Sequence, residues 1–127
     1  MKSKPAGKPP KNGPHKELFA DGSLAAAGRY AKGQRTGTWR FYLRNGQLRA
    51  VGKFAAGSLE GPWKWYREDG ALMQTGGFAN GKQSGVWKRY QKNGRLYDAG
   101  AFKDGKKTGL WKIYDAAGKL ARTKTFK

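Results

Sequence analysis

The chain has 127 residues, enough for one domain, and carries 27 lysines and arginines against 8 acidic residues, a formal net charge of +19. This excess predicts an anionic partner: an acidic protein surface, nucleic acid or a lipid headgroup surface. The chain has no cysteine, which excludes disulfides and thiolate metal sites, and no apolar run approaches the ~20 residues of a membrane-spanning helix. We therefore expect a cytoplasmic protein; a periplasmic protein whose signal peptide has been removed is the alternative.

The first twelve residues, MKSKPAGKPPKN, differ in composition from the rest of the chain. They contain four lysines and three prolines and no acidic residue. Such a composition cannot bury enough apolar surface to fold, so it predicts a disordered basic arm over residues 1–12. The arm either contacts nucleic acid or is a solvated tail that aids solubility.

From residue 13 onward the chain is a repeat array with a period of 24 residues. Four segments correspond to one another: GTWRFYLRNG, GPWKWYREDG, GVWKRYQKNG and GLWKIYDAAG. A related segment, GPHKELFADG, precedes them and has His15 at the tryptophan position. The array divides into a half unit at residues 13–27, four full units and a terminal fragment: 28–51, 52–75, 76–99, 100–123 and 124–127.

Each full unit contains two turn signals separated by short aromatic or β-branched runs. One is a KG, AG, NG or DG pair ahead of the tryptophan, and the other is an NG, DG or AG pair after the tyrosine. Asn-Gly and Asp-Gly tolerate the positive φ of tight hairpin turns, and the intervening runs are too short and glycine-rich for helices. The sequence therefore predicts an all-β fold, a repeat array of antiparallel β-hairpins forming one elongated, twisted meander sheet.

A two-residue turn at Asn45 and Gly46 would fix the register of the sheet. It would pair Leu43 with Leu48 and Trp39 with Gly52. The same count pairs Trp63 with Gly76 and Trp87 with Gly100, so that each indole has room beside a residue without a side chain. A bulged turn would shift this register by one residue.

Alternation along the strands then separates two faces. The tryptophan, the leucine at the strand start and the phenylalanine at the strand end are expected on one face, where the tryptophans are packing residues of the core. The opposite face is predicted to carry a basic residue after each tryptophan position and the tyrosines in the same phase. The candidate binding residues are Lys16, Arg40, Lys64, Lys88, Lys112, Tyr42, Tyr66, Tyr90 and Tyr114.

This basic face has two interpretations. The long basic side chains could simply cover the tyrosine rings and keep the sheet soluble. Alternatively the face binds anions, with the cations contacting phosphates or carboxylates and the tyrosines stacking. Three acidic residues, Glu60, Glu68 and Asp69, interrupt the positive charge in the unit 52–75, which is not expected of a protein that only coats DNA.

Catalysis is not expected from this sequence. The single histidine, His15, stands at a position that is structural in the other units, and no paired carboxylates, phosphate loop, nucleophile elbow or metal-ligand cluster is present. We therefore predict a protein that is not an enzyme and requires neither cofactor nor metal.

The pattern Gly-x-aromatic, Gly, Gly-x-Trp-x-x-Tyr and Asn/Asp-Gly-x-Leu resembles the bacterial variant of the MORN repeat, over about residues 13–126. Proteins built from it are commonly grouped as YwqK-like antitoxins. The resemblance implies a β-hairpin array that binds other proteins, in some cases a toxin that it neutralises. Because the chain is basic, we expect the partner to be acidic. Nucleic acid is the alternative partner, an anionic membrane surface is a weaker one, and pairing of exposed end strands into dimers stays open.

Overall fold

The computed structural model describes residues 4–5 and 10–127, and of Lys4 and Pro5 it describes the backbone. Eleven strands lie in this part of the chain, joined in sequence order into one antiparallel sheet. In chain order they are β1 Lys4–Pro5, β2 Gly13–Leu18, β3 Leu24–Ala31, β4 Gln34–Tyr42, β5 Leu48–Ala55, β6 Ser58–Tyr66, β7 Leu72–Ala79, β8 Lys82–Tyr90, β9 Leu96–Lys103, β10 Lys106–Tyr114 and β11 Leu120–Phe126. The predicted all-β hairpin meander is confirmed.

The predicted basic arm, residues 1–12, lies largely outside the described residues. Of it, Lys4–Pro5 pairs with the end of β2. Two hydrogen bonds also join its last residues to the β3–β4 turn: Lys11 O accepts from Gly33 N at 2.8 Å, and Asn12 Oδ1 accepts from Lys32 N at 3.1 Å.

The turns ahead of the tryptophans are two-residue hairpin turns in which both residues have positive φ. In the first of them, Lys32 has φ 52° and Gly33 has φ 78°. This is the type I′ geometry, whose twist matches that of the flanking strands. Asn80 and Asp104 supply the residue that tolerates it best, whereas Ala56 adopts φ 48° without a side chain that favours it.

The turns after the tyrosines differ from the two-residue turn that the sequence predicts. Gly46 N donates to Leu43 O, and Leu43 N donates to Gln47 O, both at 2.9 Å, so the loop has three residues with Gly46 at φ 87°. Leu43 therefore does not pair with Leu48, which lies opposite Tyr42. An extra residue in β5, Arg49, then restores the predicted register.

The predicted tryptophan–glycine pairs are present because these two irregularities cancel. Trp39 pairs with Gly52, and the equivalent pairs recur at Trp63–Gly76 and Trp87–Gly100. The bulge has a second consequence: Leu48, and with it Leu72 and Leu96, lies opposite a tyrosine. The prediction that these leucines share the tryptophan face is therefore wrong, because one inserted residue exchanges the two faces of a strand.

The core is a single layer of rings on one face of the sheet. Trp39, Trp63, Trp87 and Trp111 are 0%, 3%, 5% and 4% exposed, which confirms them as packing residues. Each indole lies over the glycine of the preceding strand rather than the one predicted: a Cβ added at Gly52 would come within 2.0 Å of Trp63. Each indole Nε1 also donates to a carbonyl of that strand, as Trp63 does to Lys53 O at 3.1 Å.

Aromatic rings continue this layer across the whole array. Edge-to-face pairs with centroids 5.3–6.2 Å apart link the tryptophans through Phe54, Phe78 and Phe102 and reach Tyr30 at one end and Phe126 at the other. Phe41 and Trp65 stack between successive tryptophans. Such contacts add to area burial, which lets a single-layer sheet hold its units together.

Candidate functional site

The predicted basic residues form one straight row across the sheet. Lys16, Arg40, Lys64, Lys88 and Lys112 are all exposed. Strand pairing joins them through small residues of the intervening strands, in the order Lys16, Ala27, Arg40, Val51, Lys64, Thr75, Lys88, Ala99, Lys112 and Thr123. Because neighbouring strands are ~4.8 Å apart, the cations, which we call the cation row, recur about every 10 Å.

The small partners leave the cations unobstructed. An alanine, valine or threonine lies opposite each basic residue and cannot cover a lysine head. Two ion pairs occur among residues 10–127, Arg35–Glu17 at 3.2 Å and Arg89–Asp98 at 2.6 Å, and neither involves the cation row. The row is therefore a line of solvated positive charges available to an external anion.

The four tyrosines lie beside the cation row but are less accessible than the sequence suggests. Tyr42, Tyr66, Tyr90 and Tyr114 are all half-buried. Each stands two residues after a cation, nearer the turn, and pairs with the first leucine of the next strand, as Tyr42 does with Leu48. The structure thus places the tyrosines on the face of the cations, each opposite a leucine.

A second row on this face is apolar and was not predicted. It is formed by the residue before each tryptophan, two places from a cation: Pro62, Val86 and Leu110 in the last three units. Val86 is 61% exposed and Leu110 is 53% exposed, and both lie in regular register with the following strand. We call these three residues the apolar row. The sequence could have revealed it, because an apolar residue directly precedes the tryptophan in each of these three units.

The tryptophan face carries a charged pair in the third unit. Arg89 occupies the column of Phe41 and Trp65, and Asp98 occupies the column of Ala50 on the paired strand. Arg89 donates to Asp98 through Nε at 3.0 Å and Nη2 at 2.6 Å, and this bond raises the pKa of Arg89. Asp98 is buried in the core, at 3% exposure.

His15 occupies the tryptophan position of the half unit, as predicted. It pairs with Gly28, and its ring meets Tyr30 edge-on at 5.4 Å. Over residues 4–5 and 10–127 no three His, Asp or Glu side chains cluster as metal ligands would. Within the same residues, no helix has the length and apolar character needed to cross a bilayer.

These features define the protein as a repeat module: an open, single-layer β-hairpin array with an aromatic face and a basic face. The MORN repeat variant is matched at residues 35–55, 59–80 and 107–127, which together make up half of the chain. The chain therefore belongs to the MORN repeat variant family. Comparison with curated proteins gives no significant match.

Proposed function

We propose that the chain is a non-catalytic binding module of the antitoxin or immunity type, which presents its basic face to an acidic protein partner. The observation that carries the proposal is the cation row, five exposed charges in register across ten strands. Repeat arrays commonly use such extended surfaces for binding, because every unit contributes one equivalent contact.

The apolar row favours a protein partner over nucleic acid. Val86 and Leu110 expose apolar side chains directly beside Lys88 and Lys112. A phosphate backbone offers nothing apolar to such a row, whereas an amphipathic acidic segment offers carboxylates and apolar side chains together.

The spacing of the cation row indicates what such a segment could look like. An α-helix rises 1.5 Å per residue, so carboxylates seven residues apart lie about 10.5 Å apart on one face. That distance fits the repeat of about 10 Å set by two strands. A helix lying across the strands, with glutamate at every seventh position and leucine beside it, would meet the cation row and the apolar row at once.

The test measures binding of such a designed helical peptide, and in parallel of a short DNA duplex, at ~150 mM salt. The test variant carries Arg40→Gln, Lys64→Gln, Lys88→Gln and Lys112→Gln. The matched control carries Lys11→Gln, Arg44→Gln, Lys92→Gln and Lys119→Gln, which removes the same charge from exposed positions outside the row.

We expect the peptide to bind the wild type and the control alike and the test variant at least about tenfold more weakly, since four partly screened ion pairs are lost. Equal weakening in both variants would mean that net charge alone attracts the peptide and would overturn the proposal. Duplex binding at this salt that the test variant loses, without peptide binding, would make nucleic acid the partner instead.

A further inference from the structure

The aromatic face contains a cavity of about 200 Å³, lined by residues of β7 to β10, on the side of the sheet opposite the cation row. Its apolar walls are Trp87, Phe102 and Trp111, and its polar walls include Arg89, Asp98 and Lys107. Gln74 of β7 and Gln83 of β8 complete the lining. The apolar walls come from the third and fourth units, so the cavity lies where these two units meet.

The cavity exists because this unit lacks a ring that the earlier units have. Phe41 stacks between Trp39 and Trp63 with centroids 6.2 and 6.1 Å apart, and Trp65 lies 5.9 Å from Trp63 and 5.4 Å from Trp87. Each thereby fills the space between successive tryptophans. The equivalent residue before Trp111 is Arg89. Phe102 meets Trp87 and Trp111 edge-on, but among residues 10–127 no ring is stacked between these two indoles.

Arg89 does not take over the role of the missing ring. Two hydrogen bonds to the buried Asp98 hold its guanidinium, which lies 5.1 Å from the Tyr97 ring centroid. Nη1 of Arg89 stays available, because Asp98 engages Nε and Nη2. The pair thus anchors a cationic donor at the edge of the cavity, with the carboxylate of Asp98 already satisfied.

Lys107 adds a second cation to the lining of the cavity. Its Nζ lies 4.7 Å from the Trp111 ring centroid and 5.5 Å from that of Phe126. The equivalent residue of the first unit, Arg35, is paired with Glu17, whereas Lys107 forms no ion pair with any residue from 10 to 127. Around the cavity the charges of Arg89 and Asp98 cancel, so Lys107 leaves it positive.

We propose that this cavity binds a small aromatic carboxylate. The flat ring occupies the place that Phe41 and Trp65 occupy in the earlier units, against Trp87 and Trp111. The carboxylate accepts hydrogen bonds from Lys107 Nζ and Arg89 Nη1. A volume of about 200 Å³ admits one ring system with its acid group and is smaller than the ~300 Å³ at which pockets for larger ligands begin. The site is independent of the proposed function, because it lies on the other face.

Each of the five tryptophans contributes one indole N–H group, so NMR offers a residue-specific readout of binding. Those of Trp87 and Trp111 donate to Gly77 O at 3.1 Å and Ala101 O at 3.2 Å. Titration with indole-3-carboxylate up to ~20 mM is expected to shift these two signals saturably, with a dissociation constant on the order of 1 mM, and to leave Trp39 unshifted.

Two variants borrowed from other units test the assignment. Arg89→Phe with Asp98→Ala gives the third unit the same residue pair as Phe41 and Ala50 in the first unit. The new ring fills the cavity and no buried charge is left, so binding is expected to disappear while the fold is kept. Lys107→Leu copies Leu59 and is expected to weaken the acid about tenfold while leaving the neutral indole-3-carboxamide unchanged. Lys119→Gln, at an exposed position outside both the cation row and the cavity, is the control and is expected to bind normally.

The same titration separates two sources of the carboxylate. Tighter binding of indole-3-carboxylate than of N-acetylphenylalanine would assign the site to a free aromatic acid, and the reverse order would assign it to the C-terminal residue of a protein chain. Shifts spread equally over all five indoles, carboxamide binding as tight as that of the acid, or unchanged binding to the filled variant would each overturn the proposal.

Discussion

Two adjacent glycines of β7 give a direct test of how the indoles hold the units together. A Cβ added at Gly76 would lie 2.1 Å from Trp87 Cδ2, far inside contact distance. A Cβ added at Gly77 would meet backbone atoms at ordinary contact distances: Ser84 O at 3.4 Å, Gly61 O at 3.5 Å and Gly61 C at 3.8 Å. Neither glycine has positive φ, so alanine is strained by the backbone at neither position. The pair Gly76→Ala and Gly77→Ala therefore isolates the effect of the indole.

Gly76→Ala must displace the Trp87 ring, which is 5% exposed. A tryptophan buries about 150–250 Å², so complete displacement would cost about 4–6 kcal/mol at ~25 cal/mol per Å². The lost hydrogen bond from Trp87 Nε1 to Gly77 O adds about 1 kcal/mol. Since the ring shifts rather than leaves, we expect about half of this total, roughly 3 kcal/mol, and a melting temperature lower by about 10–15 °C.

Gly77→Ala should be neutral or stabilising by about 0.4–1 kcal/mol, because alanine has fewer conformations to lose on folding. Ala101 already occupies this column in the fourth unit. Urea unfolding followed by far-UV circular dichroism and by tryptophan fluorescence measures both variants. Free energies of unfolding that agree within about 0.5 kcal/mol would show that the indole–glycine contact does not hold the units together.

Three further predictions concern a turn, a buried ion pair and an exposed carboxyl. Ala56→Asn should raise the free energy of unfolding by about 0.5 kcal/mol, because asparagine tolerates the φ of 48° better than alanine does. The control, Ala55→Asn, lies outside the turn and should not raise the free energy of unfolding measured with urea. Arg89→Ala should cost about 2 kcal/mol by leaving Asp98 buried without its partner, and adding Asp98→Ala should recover most of that loss in the same assay. Hydrogen bonds from the Ser23 hydroxyl and backbone N–H lower the pKa of Asp21. The carboxylate of Asp21 therefore stabilises the fold above the ordinary aspartate pKa, and this stabilisation is lost as the pH falls through the lowered pKa. Ser23→Ala should raise the pKa of Asp21 in an NMR titration, and an unchanged pKa would contradict the assignment.

The sequence could predict the repeat, the hairpin meander, the buried tryptophans and the position of the cation row, because glycines and aromatics recur at fixed spacing. It could not reveal that the Asn45–Gly46 turn has three residues or that Arg49 compensates for it, since both hairpin types use the same Asn-Gly signal. That compensation decides the face of Leu48, which is why its predicted face was wrong.

The cavity between the third and fourth units could have been predicted from the sequence, but it was not. The predicted register already places Arg89 opposite Asp98, and the structure has that pair. The signal was a break in two columns at once, with a cation where Phe41 stands and an acid where Ala50 stands. A repeat supplies its own reference for each position, so paired departures across neighbouring strands mark candidate sites more specifically than any single residue does.

The position of the cavity has a consequence for the array as a whole. In a linear array stability is the sum of unit terms and nearest-neighbour interfaces, so an interface without its ring is the place where the array separates most readily. The interface between Trp87 and Trp111 is of this kind, because Phe102 contacts both indoles edge-on but Arg89 supplies no stacked ring there. A ligand ring inserted at that point would restore the missing contact and stabilise the folded array by mass action. The aromatic carboxylate should therefore raise the melting temperature of the wild type and leave that of the filled variant, Arg89→Phe with Asp98→Ala, unchanged.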